Sequence, residues 1–214
     1  MKRARKSSKP VRSVLKYHDV IAADSSLETL TNSAYYANLC DIGAGNGVED
    51  RVGNDIRVKK IVAALSFKCQ LDHGTTAKKF TLTDKGYRIL LVQDKSANHT
   101  AMSEAASKGY DEILNDSGEP ICVRLRNLTY SKQYHVLKDI TWSVGDYRFD
   151  THIVHFKTEF VLNVDIPVQY SGITNNPLKN NLCCIIVSDL PSADLLTNTQ
   201  MYASFRLRYE DDTY

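Results

Sequence analysis

Residues 182–187 read LCCIIV and residues 88–92 read RILLV, so both stretches are apolar almost without interruption. Short apolar runs of this kind favour β-strands, and a strand without polar alternation is expected where both of its faces are covered. We therefore predict that these two runs are central strands of a sheet. The runs FKTEFVL at 156–162 and FRLRY at 205–209 instead interleave polar and apolar residues, which predicts strands with one buried face.

The rest of the chain repeats this pattern around the two central runs. β-Branched and aromatic segments alternate with clusters of Gly, Asn, Asp and Ser, and helical periodicity is nearly absent. Eight strands are predicted, at residues 19–31, 34–42, 56–71, 87–94, 133–144, 152–170, 181–189 and 202–210. Because eight is the number of strands in a jelly roll, we predict an all-β fold, a single eight-stranded antiparallel jelly roll. One helix is expected at 101–114, in a surface insertion between strands.

The first sixteen residues form a basic segment. They contain no acidic residue and seven basic ones, which are Lys2, Arg3, Arg5, Lys6, Lys9, Arg12 and Lys16. Residues 17–214 keep 20 basic and 25 acidic residues, a net charge of −5. We predict a disordered arm at 1–16 that binds nucleic acid by charge, followed by a jelly-roll domain at 17–214. A negatively charged domain repels a polyanion, so the arm has to supply most of the binding.

Several protein classes are not supported by the composition. No apolar run reaches the roughly 18 residues that a membrane helix needs, and no apolar stretch follows the N-terminal charges as in a signal peptide. We therefore expect no contact with a membrane. Five cysteines without a CxxC pair predict buried thiols in the cytosol or nucleus rather than disulfides.

A glycine-rich segment offers a different interpretation. The sequence LCDIGAGNG at 39–47 is similar to the first motif of S-adenosylmethionine-dependent methyltransferases. That motif requires a strand, a turn and then a helix. Residues 48–55 are polar and are interrupted by Gly53 and Asn54, a pattern typical of a loop. A methyltransferase stays an alternative, as does a β-sandwich binding module.

Three segments together resemble a known family. GNG at 45–47 followed by RVGNDIRVKKI at 51–61, RILLVQDK at 88–95 and YHVLKD at 134–139 occur in the order seen in capsid proteins of small circular single-stranded DNA viruses. These are the circovirus-like, or CRESS-DNA, viruses, and the coats of jelly-roll satellite viruses are related. With the basic arm and the final strand, the resemblance extends over most of the chain.

This resemblance implies a coat protein that assembles with itself. The expected product is an icosahedral T=1 shell of 60 copies, a virion, which packages single-stranded DNA and is assembled in the host nucleus. The cluster at residues 2–6 could serve as a nuclear localisation signal. No host attachment factor is identified. The long loops at 96–118 and 171–181 are expected on the exterior or at symmetry axes.

Further basic residues could join the arm in binding DNA. The candidates in the predicted strand at 56–71 are Arg57, Lys59 and Lys60, and Arg124 and Arg126 are weaker ones. The sequence contains no HExxH, GxSxG or phosphate-loop motif, so we expect no enzyme activity, no cofactor and no metal site. Trp142 and Tyr134 are expected in the core or at an interface, although either could stack on bases.

Overall fold

Nine β-strands account for almost all the regular structure in the described part of the chain. The structure is a computed structural model, and it describes residues 14–27, 35–71, 86–96, 112–115, 124–143, 153–188 and 197–211. The strands are β1 (Lys16–Leu27), β2 (Tyr35–Asn38), β3 (Asp55–Leu71), β4 (Gly86–Asp94), β5 (Tyr134–Ser143), β6 (Ile153–Tyr170), β7 (Pro177–Lys179), β8 (Asn181–Ser188) and β9 (Thr197–Asp211). A short 3-10 turn at Leu128–Tyr130 precedes β5.

The strands form two antiparallel sheets. One sheet has the order β1-β9-β3-β6-β7 and the other β2-β8-β4-β5. Without the short edge strand β7, one sheet contains β1, β3, β6 and β9, and the other contains β2, β4, β5 and β8. This is the strand arrangement of a jelly roll, so the predicted all-β fold is confirmed.

All eight predicted strands are present, and one short strand was not predicted. β7 pairs with the end of β6, within the segment 171–181 that was expected to be a loop. It has only three residues and begins with Pro177, so it offers no hydrophobic pattern, and a proline is tolerated there because β7 is an edge strand. Of the predicted helix at 101–114, residues 101–111 lie outside the described residues, and Leu114 forms a bridge with Arg126.

The main core lies between the two sheets. Alternate residues of β9, from Met201 to Tyr209, are buried in it, while the residues between them face outward. Phe67 of β3 packs against Tyr87, Trp142 and Phe156, with ring centroids 5.5 to 6.2 Å apart. Trp142 is therefore packed against the core, as expected from the sequence. Each large apolar side chain buried in this way stabilises the fold by about 1.5–3 kcal/mol.

β3 departs from strict alternation at one point. Val58 and Ile61 are both buried, and the register with β9 shifts between Val58 and Lys60. An extra residue of this kind, a β-bulge, lets two consecutive side chains stay on one face. Lys59 and Lys60 therefore both lie on the side of the five-stranded sheet that is turned away from the core, which we call the outer face.

The four-stranded sheet is covered on both sides. Its two middle strands, β8 and β4, contain the two apolar runs, and all residues from 182 to 187 are buried. Away from the main core, Leu90, Val92, Cys183, Ile185 and Val187 pack in a second cluster with Ile113, Leu114 and Tyr134. The prediction of two central strands buried on both faces is thus confirmed.

The cysteines that can be assessed are buried thiols. Cys40, Cys183 and Cys184 are free, and burial raises the pKa of Cys40 and of Cys184 to about 12. The side chain of Cys69 and the whole of Cys122 lie outside the described residues. In the described segments no helix combines the length and the apolar character needed to cross a membrane.

Candidate nucleic-acid interface

The predicted arm is described only at its C-terminal end. Lys2, Arg3, Arg5, Lys6, Lys9 and Arg12 lie outside the described residues, so their role in DNA binding stays a prediction. Lys16 is the first residue of β1, one residue earlier than the expected start of the shell domain. The arm therefore precedes the first strand of the five-stranded sheet, and from here on it is taken as residues 1–13, which contain six basic residues.

Lys16 is engaged with the body of the protein. Its Nζ lies 2.8 Å from Oδ2 of Asp211 and donates a hydrogen bond of 2.9 Å to the carbonyl oxygen of Asp50. Both partners of the ion pair are largely covered, with 14% of the Lys16 side chain and 12% of the Asp211 side chain exposed. The ammonium group thus ties the start of β1 to the end of β9, and a phosphate would have to compete with Asp211 for it.

Arg57 and Lys59 share a carboxylate on the outer face. Nη1 of Arg57 lies 3.0 Å from Asp165, and Nζ of Lys59 lies 2.7 Å from the same side chain. Lys59 is also 3.9 Å from Glu210. The hydrogen bond from Lys59 and the charges of Arg57 and Lys59 hold the pKa of Asp165 below its usual value. These two predicted DNA contacts are already partnered by acidic side chains.

Lys60 has a different environment from its neighbours. Its backbone pairs with Arg208 of β9 on one side and with Asn163 of β6 on the other. Among the described residues, neither Lys60 nor Arg208 has an acidic partner within 4.0 Å. Two cations thus face each other across adjacent strands, an arrangement that destabilises a sheet unless an anion is nearby.

Arg206 and Arg208 are basic residues of the outer face that were not predicted as contacts. Arg206 makes two hydrogen bonds to Asp19 of β1, of 2.7 and 2.5 Å, and its guanidinium lies 5.0 Å from the ring centre of Tyr17. The hydrogen bonds from Arg206 lower the pKa of Asp19. The alternation in FRLRY at 205–209 could have indicated that both arginines share a face. It could not indicate which strands flank them.

A small hollow lies where the arm enters the sheet. It has a volume of about 130 Å³ and is lined by Leu15, Lys16, Tyr17, Arg206 and Arg208. The Lys16 ammonium is turned to Asp211 and the Arg206 guanidinium to Asp19, so Arg208 is the cation of the hollow that has no described acidic partner. Arg208 belongs both to this hollow and to the pair with Lys60, so the two features are continuous.

The weaker candidates Arg124 and Arg126 belong to the other sheet. Arg126 donates to Asp139 over 3.2 Å, and the backbone carbonyl oxygen of Arg124 accepts from Arg88. Arg88 is buried and donates two hydrogen bonds of 2.9 Å to the carboxylate of Asp139. These groups attach the segment before β5 to the four-stranded sheet. The outer face belongs to the other sheet.

The glycine-rich segment is a loop between β2 and β3. Residues 43–54 contain bends and a single bridge between Ala44 and Arg51, with no helix. Gly47 donates its N–H to Asp50 over 3.0 Å, which closes the turn. Because the strand–turn–helix unit of a methyltransferase is missing and the fold is all-β, the methyltransferase interpretation of this motif is wrong.

Arg51 connects this loop to the loop after β6. Its side chain is 1% exposed and donates to the carbonyl oxygens of Ile42 and Gly53 within its own loop. It also donates to those of Gly172 and Thr174, over 2.8 and 2.7 Å. A single guanidinium thus fixes two loops at one end of the sandwich.

Two further expectations from the sequence concern the position of Tyr134 and metal binding. Tyr134 is buried and donates to Glu112 over 2.8 Å, which agrees with the core position expected for it. In the parts of the chain that the structure describes, no group of three or more His, Cys, Asp or Glu side chains could hold a metal ion.

Comparison with known proteins identifies no family. No family model and no curated protein matches the chain. Three solved structures that align with it are from viruses. The structure of infectious bursal disease virus Gx strain has 10% identity and a TM-score of 0.28, and the alignment covers 94% of this chain and 34% of that one. The T13 IBDV viral particle has 7% identity and a TM-score of 0.23, with 92% and 40% covered.

The third of these structures is nearer to this chain in length. The 60-mer BFDV capsid protein has 10% identity and a TM-score of 0.20, and the alignment covers 94% of this chain and 84% of that one. The chain spans well under half the length of the first two proteins. TM-scores this low support no argument about function, so the function is argued from the residues.

Proposed function

We propose that this chain is the coat protein of a small icosahedral virus. In this proposal it assembles with itself into a T=1 shell of 60 copies and packages single-stranded DNA through its basic arm. The observation that carries the proposal is the attachment of an acid-free segment with six basic residues directly to the first strand of a jelly roll. A closed shell needs a rigid building block, and a genome of arbitrary sequence needs a binder that recognises phosphate rather than bases.

The distribution of charge supports separate roles for the arm, which binds DNA, and the jelly roll, which forms the shell. Residues 14–214 contain 21 basic and 25 acidic residues, a net charge of −4, whereas residues 1–13 carry six positive charges and no negative one. Flexible lysines and arginines bind DNA by releasing its counterions, and this binding weakens as salt rises. The negatively charged body keeps the protein soluble and leaves the polyanion to the arm.

Removing the arm tests the packaging role. A chain that lacks residues 1–13 keeps Lys16 and its ion pair with Asp211, so the sandwich is expected to fold. We expect its particles to be empty or poorly filled, with the ratio of absorbance at 260 nm to that at 280 nm falling towards that of protein alone. The sharper variant replaces the six arm cations with Gln, which keeps the length of the arm and removes its charge.

A charge-preserving arm is the matched control. Exchanging every Lys for Arg and every Arg for Lys in residues 1–13 leaves the charge unchanged, so we expect normal filling. If the Gln variant packages as much nucleic acid as the unmodified chain, the arm does not hold the genome and the proposal loses its main support.

A further inference from the structure

The arms alone supply a limited amount of charge. Sixty arms with six cations each carry about 360 positive charges, and single-stranded DNA has one negative charge per nucleotide. A longer genome therefore needs small counterions or a second basic surface on the shell domain. If the proposed function holds, the shell domain itself should offer such a surface to the packaged strand.

We propose that Arg208 and Lys60 form this second contact and bind the backbone phosphates of single-stranded nucleic acid on the outer face of the five-stranded sheet. The inference rests on the coat function proposed above, and it assigns the contact to two particular residues. Of these, Lys60 was expected from the sequence, and Arg208 was not.

The first argument is the absence of a local counter-ion. Arg208 and Lys60 lie opposite each other on β9 and β3, and no described acidic side chain is within 4.0 Å of either. Arg208 is exposed and Lys60 is partly exposed. A phosphate placed between two such cations relieves their repulsion, and binding to Arg adds bidentate hydrogen bonds.

The neighbouring cations are poorer phosphate sites. Arg57 and Lys59 are held by Asp165, and Lys59 is also near Glu210. A phosphate that approached them would meet these carboxylates or would have to displace them. Arg57 and Lys59 on the outer face thus neutralise local acids, whereas Lys60 and Arg208 have no described acidic side chain within 4.0 Å.

The second argument is the position of the arm. The hollow of about 130 Å³ at the start of β1 is lined by Tyr17, Arg206 and Arg208, with Leu15 and Lys16. Leu15, Lys16 and Tyr17 follow the arm directly in the sequence, so this hollow is the part of the outer face that adjoins the end of the arm. Since Arg208 lines the hollow and also pairs with Lys60, it connects the hollow with the pair on the sheet.

The third argument concerns the kind of anion. Farther along β9 on the same face, Tyr202 is 50% exposed and lines a second hollow with Ile21 and Ala64. At about 3.3 Å per residue, Tyr202 lies roughly 20 Å from Arg208. In a single strand the bases stack on aromatic rings while the phosphates pair with cations. The distance between Tyr202 and Arg208 corresponds to a few nucleotides, so the two residues could contact one strand. A free phosphate ion would use only the cations.

The test compares two double variants that lose the same charge. In the first, Lys60→Gln is combined with Arg208→Gln. In the second, the control, Lys95→Gln is combined with Lys132→Gln, two exposed lysines at the end of the other sheet. Binding of a fluorescent 20-nucleotide oligo(dT) to the full chain is measured by anisotropy over a range of salt concentrations.

The inference predicts different salt dependences for the two variants. Losing two phosphate contacts should lower the slope of log Kd against log salt concentration by about 1.4, and weaken binding at low salt by roughly tenfold or more. The control should leave the slope unchanged. Equal losses in both variants would mean that net charge alone governs binding, and would overturn the inference. So would loss of the difference between the unmodified chain and the Lys60/Arg208 variant when millimolar inorganic phosphate is added at constant ionic strength, because the site would then be one for free phosphate.

Folding and assembly are followed in the same variants. Because Lys60 and Arg208 repel each other, replacing both should leave the urea midpoint unchanged or raise it slightly, which separates a binding role from a structural one. Particle formation by the unmodified chain reports on the coat function separately. If particles form and both variants bind alike, only the role of Arg208 and Lys60 fails; if no particles form, the coat function itself fails.

Discussion

Arg51 shows how one buried charge can hold two loops through backbone carbonyl oxygens. Four backbone carbonyl oxygens accept from its guanidinium, and the guanidinium carbon lies 4.2 Å from the ring centre of Tyr170. Tyr170 in turn donates to the carbonyl oxygen of Cys40 over 3.0 Å, and burial raises the pKa of its hydroxyl far above the usual value. The group is a structural anchor at one end of the sandwich.

Replacing Arg51 with Lys should destabilise the protein although the charge is kept. A lysine ammonium can reach only some of the four carbonyl groups and cannot stack flat on Tyr170, and hydrogen bonds to charged groups contribute about 1.5–3 kcal/mol each. We expect a loss of at least about 2 kcal/mol in the free energy of unfolding, measured by urea denaturation. Arg57→Lys, on the outer face, is the control and should change it by less than about 1 kcal/mol. Similar losses in both variants would contradict this role.

Asp139 is the second residue whose charge matters for stability. Burial by itself would raise the pKa of Asp139, but hydrogen bonds and charge from Arg88 and Arg126 outweigh it, so the pKa lies below the ordinary value of 3.8. A carboxyl whose pKa is lowered in the folded state stabilises the protein above the unfolded pKa, and this contribution is lost as the pH falls through the folded value.

Asp139→Asn should therefore have a pH-dependent cost. At pH 7 it removes the carboxylate that pairs with the buried guanidinium of Arg88, and we expect a loss of roughly 3 kcal/mol. Below about pH 3.8 the difference from the unmodified protein should shrink, because Asp139 itself becomes protonated. Urea midpoints measured between pH 7 and 3 check this. Asp165→Asn, in an exposed ion pair, serves as the control and should leave the urea midpoint nearly unchanged throughout. A constant penalty for Asp139→Asn across this pH range would refute the account.

At the scale of elements, the four-stranded sheet depends on a segment outside it. Leu114 is fully buried, next to Ile113, in the cluster on the side of β4 and β8 that is turned away from the main core. Its neighbourhood is fixed by backbone hydrogen bonds, from Asn115 to Leu125 over 2.9 Å and from Asn127 to Ile113 over 2.7 Å. These bonds hold residues 113–115 against residues 125–127. Ile113 and Leu114 thereby cover apolar side chains of β4 and β8.

Truncating Leu114 tests whether this covering stabilises the sheet. Leu114→Ala should cost about 2–5 kcal/mol, as expected for a large side chain removed from a buried cluster. Leu125→Ala, at a side chain that is 74% exposed in the adjoining segment 125–127, should stay within about 0.5 kcal/mol of the unmodified protein. Urea denaturation of both variants gives the comparison. A loss below about 1 kcal/mol for Leu114→Ala would show that the cluster adds little.

The strands illustrate what the sequence could and could not predict. The apolar runs in β4 and β8 and the alternation in β9 are local patterns, so they predicted both the strands and their burial. β7 has three residues and no pattern, and it forms only because the end of β6 lies beside it. The bulge at Lys59 is likewise set by pairing with β9, although the spacing of Val58 and Ile61 is consistent with it.

The candidate interface was only partly predictable for the same reason. The basic residues can be counted from the sequence, but their partners cannot. Lys16 meets Asp211 from the other end of the chain, and Lys59 meets Asp165 across a sheet. Which cations remain without an acidic partner depends on the register of three strands. From the sequence, Lys60 was a candidate together with Arg57 and Lys59, and Arg208 was not a candidate.

At the scale of the whole molecule, the account combines a rigid jelly roll with a basic arm. The net charge of +2 hides an arm of six cations and a body of −4. The arm leads into β1, and the first residues of β1 line the hollow that contains Arg206 and Arg208. The central claim is that this combination builds a closed shell around nucleic acid.

The most direct test is to purify the full chain by size-exclusion chromatography, image it by negative-stain electron microscopy, and measure absorbance at 260 and 280 nm on the same fraction. The account predicts uniform spherical particles with an excess of absorbance at 260 nm. A monomer free of nucleic acid, at concentrations where coat proteins assemble, would contradict it.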